Sequence, residues 1–166
     1  MASRSKKMVY LGLLATFAIV CGYIETLLPF FFGIPGMKLG LANIVTVIVL
    51  YQYGIREAAS ISLVRILLVG MLFGNPYSIT YSLAGGVFSL LIMFLFKQIK
   101  FCSVIGVSIM GGILHNIGQI LVAILIIDEF SLVYYLPVLI IFGALTGFLI
   151  GIISQSLMKH FERMMK

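Results

Sequence analysis

The sequence predicts an all-helical membrane protein with six transmembrane helices and both termini on the cytoplasmic side. Three observations lead to this prediction: the composition, the number of apolar segments and the distribution of Lys and Arg. Of the 166 residues, 62% are hydrophobic and 10% are charged, and the mean hydropathy is +1.22. Because soluble domains carry about 25% charged residues, this composition excludes a soluble domain of this size.

Six apolar segments follow one another with short connections, and they predict the six helices of a single domain over residues 1–166. A helix needs about 20 apolar residues to cross a bilayer. We place the segments at about 8–28, 39–53, 58–73, 77–96, 102–127 and 132–158. The second and third are short for a full span, so we expect neighbours to bury them or their backbone to be partly irregular. Pro137, near the start of the sixth segment, predicts a kink or a late helix start.

Lys and Arg lie almost entirely on one side of these segments. The two tails carry three each, the second connection has one and the fourth has two, whereas Lys38 is alone on the other side. Arg65 lies inside the third segment. Because cytoplasmic connections carry the excess of positive charge, both termini are predicted to face the cytoplasm. The same distribution explains the net charge of +6 without a nucleic-acid partner.

The fifth segment carries polar side chains in the middle of an apolar run. His115 and Gln119 are four residues apart and share a helix face, and Asn116 lies beside them. Polar groups at membrane depth are costly unless they face a cavity or a partner. We favour a binding cavity for this face. The alternative is that these side chains hold helices together by interhelical hydrogen bonds.

Other polar groups also fall in the half of the membrane opposite the positive charges. Glu25 is near the end of the first segment, Asn43 is near the start of the second, and Tyr81 is in the first turns of the fourth. Lys38 ends a Gly- and Pro-containing connection at 29–38, which we expect to cover a ligand. For any single tyrosine, an interfacial aromatic belt is the simpler explanation. Together these groups predict a pocket that opens outward.

Glu25 and Arg65 are ionisable residues of opposite sign inside apolar segments. A bare charge there costs several kcal/mol, so pairing or hydration is expected. A Glu25–Arg65 pair is one interpretation, although a rise of about 1.5 Å per residue places Arg65 roughly two turns deeper. The alternatives are that Arg65 extends towards the interface or binds an anionic group of a ligand.

Small residues form two stripes. Gly143, Gly147 and Gly151 repeat every four residues in the sixth segment, a pattern that allows close approach of helix backbones. The first segment has a broader small face that includes Gly12 and Gly22. We favour packing inside the bundle over docking of another membrane protein.

The motifs of common enzymes are absent. The sequence contains no phosphate-binding P-loop, no nucleophile elbow, no zinc-protease motif and no C-x-x-C pair. His115 has no second catalytic group placed beside it by sequence, and the two cysteines do not indicate a disulfide framework. We therefore predict no enzyme activity, no cofactor and no metal site.

Three motifs resemble the bacterial Gx transporter family, whose members are often labelled heptaprenyl diphosphate synthase component I. They are IPGMKLGLANI at 34–44, SLAGG at 82–86 and GGILHNIGQ at 111–119. The family is similar to the substrate-binding S components of energy-coupling factor transporters. Those are six-helix membrane proteins that capture vitamins or related small molecules from outside. They work with a transmembrane coupling subunit and two ATPases.

The resemblance implies a multi-pass protein of the bacterial cell membrane whose ligand site or lid includes residues 35–43 and the polar face of the fifth segment. Many S components dock through an alanine-x-x-x-alanine face on the first helix. Here Gly12-x-x-x-Thr16 and Ala18-x-x-x-Gly22 are the nearest equivalents. The candidate ligand-binding residues are Glu25, Lys38, Asn43, Arg65, Tyr81, His115, Asn116 and Gln119.

Two other functions stay open at this point. The first is an accessory membrane subunit of a heptaprenyl diphosphate synthase in isoprenoid or menaquinone metabolism. Such a synthase needs paired aspartate-rich motifs to hold magnesium, and this chain has five acidic residues, of which only Asp128 and Glu129 are adjacent. A catalytic chain would therefore have to be a separate protein. The second is a structural scaffold without a ligand.

Overall fold

The structure is a computed structural model that describes residues 4–27, 40–99 and 101–164. Within these ranges every regular element is helical, which confirms the all-helical fold class. The α-helices are α1 (Arg4–Leu27), α2 (Asn43–Gln52), α3 (Ile55–Phe73), α4 (Pro76–Gln98), α5 (Val104–Ile127) and α6 (Leu136–Met164).

Four helical stretches are long and apolar enough to cross a membrane. They are α1, α4, α5 and the stretch that includes α6, whereas α2 is a shorter apolar helix. The protein is therefore a membrane protein. We call the end of the bundle at which α1 and α3 finish and α4 begins the distal end, and the opposite end the proximal end.

Local sequence signals set several helix boundaries. At the start of α4, Asn75 Oδ1 accepts a hydrogen bond from the Ser78 N–H at 2.8 Å, and Ser78 Oγ accepts one from the Asn75 N–H at 3.1 Å. This reciprocal capping box satisfies backbone donors that the first helical turn leaves unpaired. At the start of α5, Ser103 Oγ acts as an N-cap by accepting from the Gly106 N–H.

The connection between α5 and α6 explains the position of Pro137. Asp128 ends α5 in the left-handed region, with φ of 55°. A 3-10 helix at Phe130–Tyr135 follows, and α6 begins only at Leu136. Proline is tolerated in a first helical turn, where its missing N–H has no intrahelical partner. The late helix start predicted at Pro137 is therefore confirmed.

The helices form a closed ring in the order α1, α3, α4, α5, α6 and α2, and α2 also contacts α3. α2 therefore has α1, α3 and α6 as neighbours, and all of its residues 44–50 are buried. Its ten residues extend about 15 Å, roughly half of a hydrocarbon core of about 30 Å. Lys97 Nζ donates to the Leu50 carbonyl at 2.7 Å and so satisfies one of the last carbonyls of α2.

The expectation for the two short segments is thus confirmed for α2 and wrong for α3. α3 is a regular helix of 19 residues that begins three residues earlier than predicted. Only one of its faces is buried, through residues such as Ala58 and Ile61, while Leu63, Val64 and Met71 are exposed. Arg56 and Glu57 lie in the first turn of α3, so the apolar run that predicted this helix begins only after them.

The glycine stripe of α6 packs against α5. A Cβ atom at Gly147 would lie 2.6 Å from the Ser108 carbonyl oxygen, and one at Gly143 would lie 2.7 Å from the Gly112 carbonyl oxygen. No side chain fits at these distances, so glycine is what allows the two backbones to touch. Packing inside the bundle, the favoured interpretation, is confirmed for this stripe.

The small face of α1 is only partly internal. Ala18 is buried and Gly22 faces Val69 of α3, whereas Gly12 has open space beside it.

An ion pair joins α1 to α3 at the proximal end. Lys7 Nζ lies 2.6 Å from Glu57 Oε1 and 5.6 Å from the centre of the Tyr53 ring. The hydrogen bond from Lys7 lowers the pKa of Glu57 below its ordinary value. A carboxyl group with a depressed pKa in the folded state stabilises the fold above its unfolded-state pKa. That contribution is lost as the pH falls through the folded-state pKa.

Glu57→Gln is accordingly expected to lower the thermal unfolding midpoint slightly at neutral pH. Partly exposed ion pairs contribute about 0.2–1 kcal/mol, and the difference from wild type should disappear in acid. Unfolding in detergent at pH 7 and at a pH well below the folded-state pKa of Glu57 measures both effects, and Glu129→Gln, at the opposite end, is the control. An equal effect of Glu57→Gln at both pH values would contradict the assignment.

Candidate functional site

A cavity lies between α1, α3 and α4 at the distal end, and we call it the distal cavity. Its volume is about 200 Å³. It is lined by Gly22, Glu25, Thr26, Arg65, Ile66, Val69, Gly70, Phe73, Gly74, Ser78 and Ser82.

Glycines bring the three helices together around this cavity. A Cβ at Gly22 would lie 3.0 Å from Val69 Cγ2, and a Cβ at Gly70 would clash with the side chain of Ile79. α1 therefore approaches α3 closely, and α3 approaches α4 closely. The larger polar side chains next to these contacts, Glu25 and Arg65, extend into the same space.

The distal cavity extends from the end of the bundle into its interior. Arg65 precedes Phe73, at the end of α3, by eight residues, which corresponds to about 12 Å along the helix. Thr26 and Phe73 are exposed at the mouth, whereas Glu25 is only 5% exposed. A molecule that enters at the distal end would therefore meet the buried Glu25 and the partly buried Arg65.

Glu25 and Arg65 give the distal cavity its electrostatic character. They interact electrostatically, and Glu25 Oε1 accepts a hydrogen bond from the Leu41 N–H at 2.6 Å. Arg65 Nε is sealed from solvent and has no hydrogen-bond partner among the described residues. A buried donor left unsatisfied costs about 1–3 kcal/mol. Arg65 thus has hydrogen-bonding capacity that a bound group can use.

The chain matches the family model described as heptaprenyl diphosphate synthase component I over residues 14–157. The chain belongs to this family. The match confirms the label given by the sequence resemblance, and it includes every residue that lines the distal cavity. No curated protein and no solved structure matches the chain.

In this family member, two of the eight predicted ligand-binding residues line the distal cavity, Glu25 and Arg65. The sequence placed them about two turns apart in depth, and the length of the arginine side chain allows both to reach one space. Two of the three interpretations of Arg65 fit this position: a structural partner of Glu25 and a ligand-binding group. The two are distinguished by the Arg65 variant described in the Discussion.

The polar face of α5 does not line the distal cavity. Asn116 is buried, and its Nδ2 donates to the Leu139 carbonyl of α6 at 2.8 Å. This contact fits the alternative interpretation of the polar face, in which its side chains hold helices together by interhelical hydrogen bonds. His115 and Gln119 instead lie against α4. A Cβ at Gly85 would be 2.7 Å from the His115 carbonyl oxygen and 2.8 Å from Gln119 Cγ. The three polar residues thus serve two different helix interfaces, and ligand binding by His115 and Gln119 stays a prediction.

The remaining predicted residues are also away from the distal cavity or outside the described residues. Asn43 is the first residue of α2, where its N–H donates to the Gly40 carbonyl. Tyr81 is half-buried on α4, next to the cavity-lining Ser82. Lys38 and the proposed cover at 29–38 lie outside the described residues.

Sequence reasoning missed most of the cavity lining, although α3 carries a signal for it. Arg65, Val69 and Phe73 recur every four residues, with Ile66 and Gly70 at the intermediate spacing. That spacing describes one face of a helix. The signal for the cavity is therefore this helix face of α3, which contains Arg65.

Replacing Asn116 with alanine is expected to weaken the α5–α6 interface without changing ligand binding. Interhelical hydrogen bonds in membranes average about 0.6 kcal/mol and reach about 1.7 kcal/mol. A small drop in the unfolding midpoint is the expected result, with no change in the small molecule that co-purifies. Thr80→Ala, which removes an exposed hydroxyl bonded within its own helix, is the control. Loss of the co-purified molecule in Asn116→Ala alone would instead assign Asn116 to the ligand site.

Proposed function

We propose that the protein is a membrane-embedded substrate-binding subunit that captures a small molecule from outside, as S components of energy-coupling factor transporters do. The observation that carries this proposal is the distal cavity, with Glu25 and Arg65 inside an apolar bundle. Ionisable residues within membrane segments are costly and usually mark ligand or ion sites. The exposed mouth at Thr26 and Phe73 gives a water-soluble ligand access to them.

The proposed topology has six membrane-spanning helices with both termini in the cytoplasm. The supporting observation is the asymmetry of Lys and Arg, with nine on the proximal side and one on the distal side. In this orientation the distal cavity opens to the outside. The short α2 then crosses only part of the membrane as a helix and is buried by α1, α3 and α6.

A substrate-binding subunit of this kind obtains its energy from partners. The sequence has no P-loop, so we propose a transmembrane coupling subunit and two ATPases as partners, and no catalytic activity of the chain itself. α1 offers a docking surface for the coupling subunit. Gly12 has open space, and Leu13 and Phe17 are exposed on the same helix.

The second candidate function is an accessory membrane subunit of a heptaprenyl diphosphate synthase. The description of the family model favours it. In that case a soluble partner with aspartate-rich motifs would bind magnesium and catalyse the reaction, since this chain has no such motifs.

Affinity purification from the native membrane distinguishes the two functions. We expect the tagged chain to retain a small molecule and to co-purify with a membrane coupling protein and ATPases, all identified by mass spectrometry. A soluble aspartate-rich chain in their place would support the synthase subunit. A tagged membrane protein of similar size from the same cells serves as the control for adventitious partners. Absence of any specific small molecule from the wild-type chain would contradict substrate binding.

A further inference from the structure

We propose that a groove between α1 and α6 binds an acyl chain of an anionic phospholipid, whose phosphate lies at Lys6. We call it the lateral groove. It is lined by residues of α1, α2 and α6, whereas the distal cavity lies between α1, α3 and α4, so the inference does not depend on the proposed function. The lining of the groove, its dimensions and the charge beside its end lead to the inference in turn.

The lateral groove forms where α2 separates α1 from α6. Both of these helices pack on α2, whose buried Ile48 is part of the lining. At the proximal end, Tyr10 of α1 and Phe161 of α6 meet edge to face, with their ring centres 6.0 Å apart. Leu13 and Phe17 line the groove and are exposed. The groove is therefore closed behind by α2 and at one end by two rings, and it is open towards the membrane.

The lining of the lateral groove suits a hydrocarbon chain. Apart from Thr16, the described residues that line it are leucine, isoleucine, valine or phenylalanine. The Thr16 hydroxyl donates to the Gly12 carbonyl of its own helix at 3.0 Å. Water in the groove would find few hydrogen-bond partners, and a void would forfeit dispersion contacts. A hydrocarbon chain avoids both costs.

The dimensions of the lateral groove favour a single lipid chain over a helix of another protein. From Tyr10 to Val20, α1 rises about 15 Å, which is one leaflet of a hydrocarbon core of about 30 Å. The groove has a volume of about 500 Å³. A helix is about 10–12 Å wide with its side chains, so a stretch of the same length occupies more than roughly 1,000 Å³. A chain of single carbon atoms, which pack at about 3.5–4.0 Å, fits instead.

Lys6 places a positive charge beside the proximal end of the lateral groove. It is exposed and precedes Leu13 by seven residues, which is close to two turns and about 10 Å along α1. Lys6 therefore lies on the same face of the helix as Leu13, whereas the neighbouring Lys7 is paired with Glu57. A lipid whose chain fills the groove would carry its phosphate at the level of Lys6. There the ammonium group can donate a charge-assisted hydrogen bond to it.

The headgroup, more than the chain, decides which lipid the groove retains. Lipid tails are as apolar as a leucine side chain, so apolar contacts alone hardly distinguish one lipid from its neighbours in the bilayer. A lysine near the membrane surface attracts anionic lipids by an amount that corresponds to about a fivefold change in affinity. We therefore expect phosphatidylglycerol to bind more tightly than phosphatidylcholine with the same acyl chains.

Native mass spectrometry of the purified full-length chain tests the inference. The isolated chain is used because a coupling subunit docked on Leu13 and Phe17 would compete with the lipid. The probes are added to the delipidated protein in detergent. They are phosphatidylglycerol, phosphatidylcholine with identical chains, and glycerol phosphate, which has the phosphate but no chain. We expect a single tightly bound phosphatidylglycerol, about fivefold weaker binding of phosphatidylcholine, and no binding of glycerol phosphate.

One pair of variants connects binding to the shape of the lateral groove. Thr16→Phe fills the groove and should remove the bound lipid. Thr80→Phe makes the same exchange at an exposed position of α4 and should keep it. The pair is matched because each threonine hydroxyl donates to a carbonyl of its own helix.

A second pair connects the selectivity to Lys6. Lys6→Gln should abolish the preference for phosphatidylglycerol over phosphatidylcholine, whereas Lys159→Gln should keep it. Lys159 is also exposed at the proximal end, but it lies two residues from each of the groove-lining Leu157 and Phe161. That spacing places it on the other side of α6.

Three results would overturn the inference. One is that the wild-type chain binds no lipid, or binds both lipids equally. Another is the same bound lipid in Thr16→Phe as in Thr80→Phe. The third is a dimer of the purified chain that Thr16→Phe dissociates, which would make the groove an interface between two copies. If Thr16→Phe does not fold, the comparison of Lys6→Gln with Lys159→Gln decides alone, because a change in selectivity does not follow from a weakened fold.

Discussion

Replacing Gly147 with leucine is expected to abolish the stable helical bundle. A Cβ at this position would lie 2.6 Å from the Ser108 carbonyl oxygen and 2.8 Å from Ile109 Cα. Both are backbone atoms of α5, so they cannot give way as the end of a flexible side chain can. Overpacking of a core costs about 1–3 kcal/mol, and more in severe cases. A leucine against a helix backbone belongs to the severe cases, because it must separate α5 from α6.

Gly12→Leu is the matched control for this prediction. It makes the same exchange in a membrane helix, but nothing lies within 4 Å of a Cβ at Gly12. Yield of monodisperse protein and the unfolding midpoint in detergent should fall sharply for Gly147→Leu and stay near wild type for Gly12→Leu. Equal behaviour of the two variants would contradict the packing of α6 on α5.

The second large effect is expected for Arg65→Gln, which should lose the small molecule that the wild-type protein retains. Hydrogen bonds to charged groups contribute about 1.5–3 kcal/mol, or roughly 10- to 150-fold in affinity. The measurement is the amount of that molecule per protein, by mass spectrometry after purification. Arg56→Gln removes an exposed arginine from the other end of the same helix and should change nothing.

The same variant decides between the two interpretations of Arg65. A purely structural partner of Glu25 predicts a lower unfolding midpoint with full retention of the small molecule. A ligand-binding group predicts loss of the molecule, with a much smaller change in the midpoint of the empty protein. Full retention with a damaged fold would therefore contradict the proposed role of Arg65 in binding.

Helix positions were largely predictable from the sequence because the bilayer imposes a length on apolar segments. α5 begins two residues after the predicted start and ends at the predicted residue, Ile127. The enclosed position of α2 also followed from its length. Other boundaries differ more: α3 begins three residues before its predicted start, α2 begins four residues after, and α6 begins four residues after and ends six residues after its predicted bounds.

Helix rotation was much less predictable, and rotation determines which residues form a site. In a soluble protein the apolar stripe shows which face is buried, but in a membrane both lipid and core are apolar, so that signal is weak. The sequence indicated correctly that Asn116 needs a partner at membrane depth. It did not show that the partner is the Leu139 carbonyl of α6. Without the rotation of α1 and α3, the sequence left a Glu25–Arg65 pair as one of three interpretations of Arg65.

The enclosure of α2 has a consequence for how the chain is made. A ten-residue helix is too short to be held in lipid by its own apolar length, and Ser154 of α6 donates a hydrogen bond to the Ile44 carbonyl across 110 positions of sequence. While the ribosome is still translating α3 to α5, this contact does not exist. α2 can pack against α1 and α3 as soon as these helices have been made, whereas its contacts with α6 form only after the last helix has been inserted.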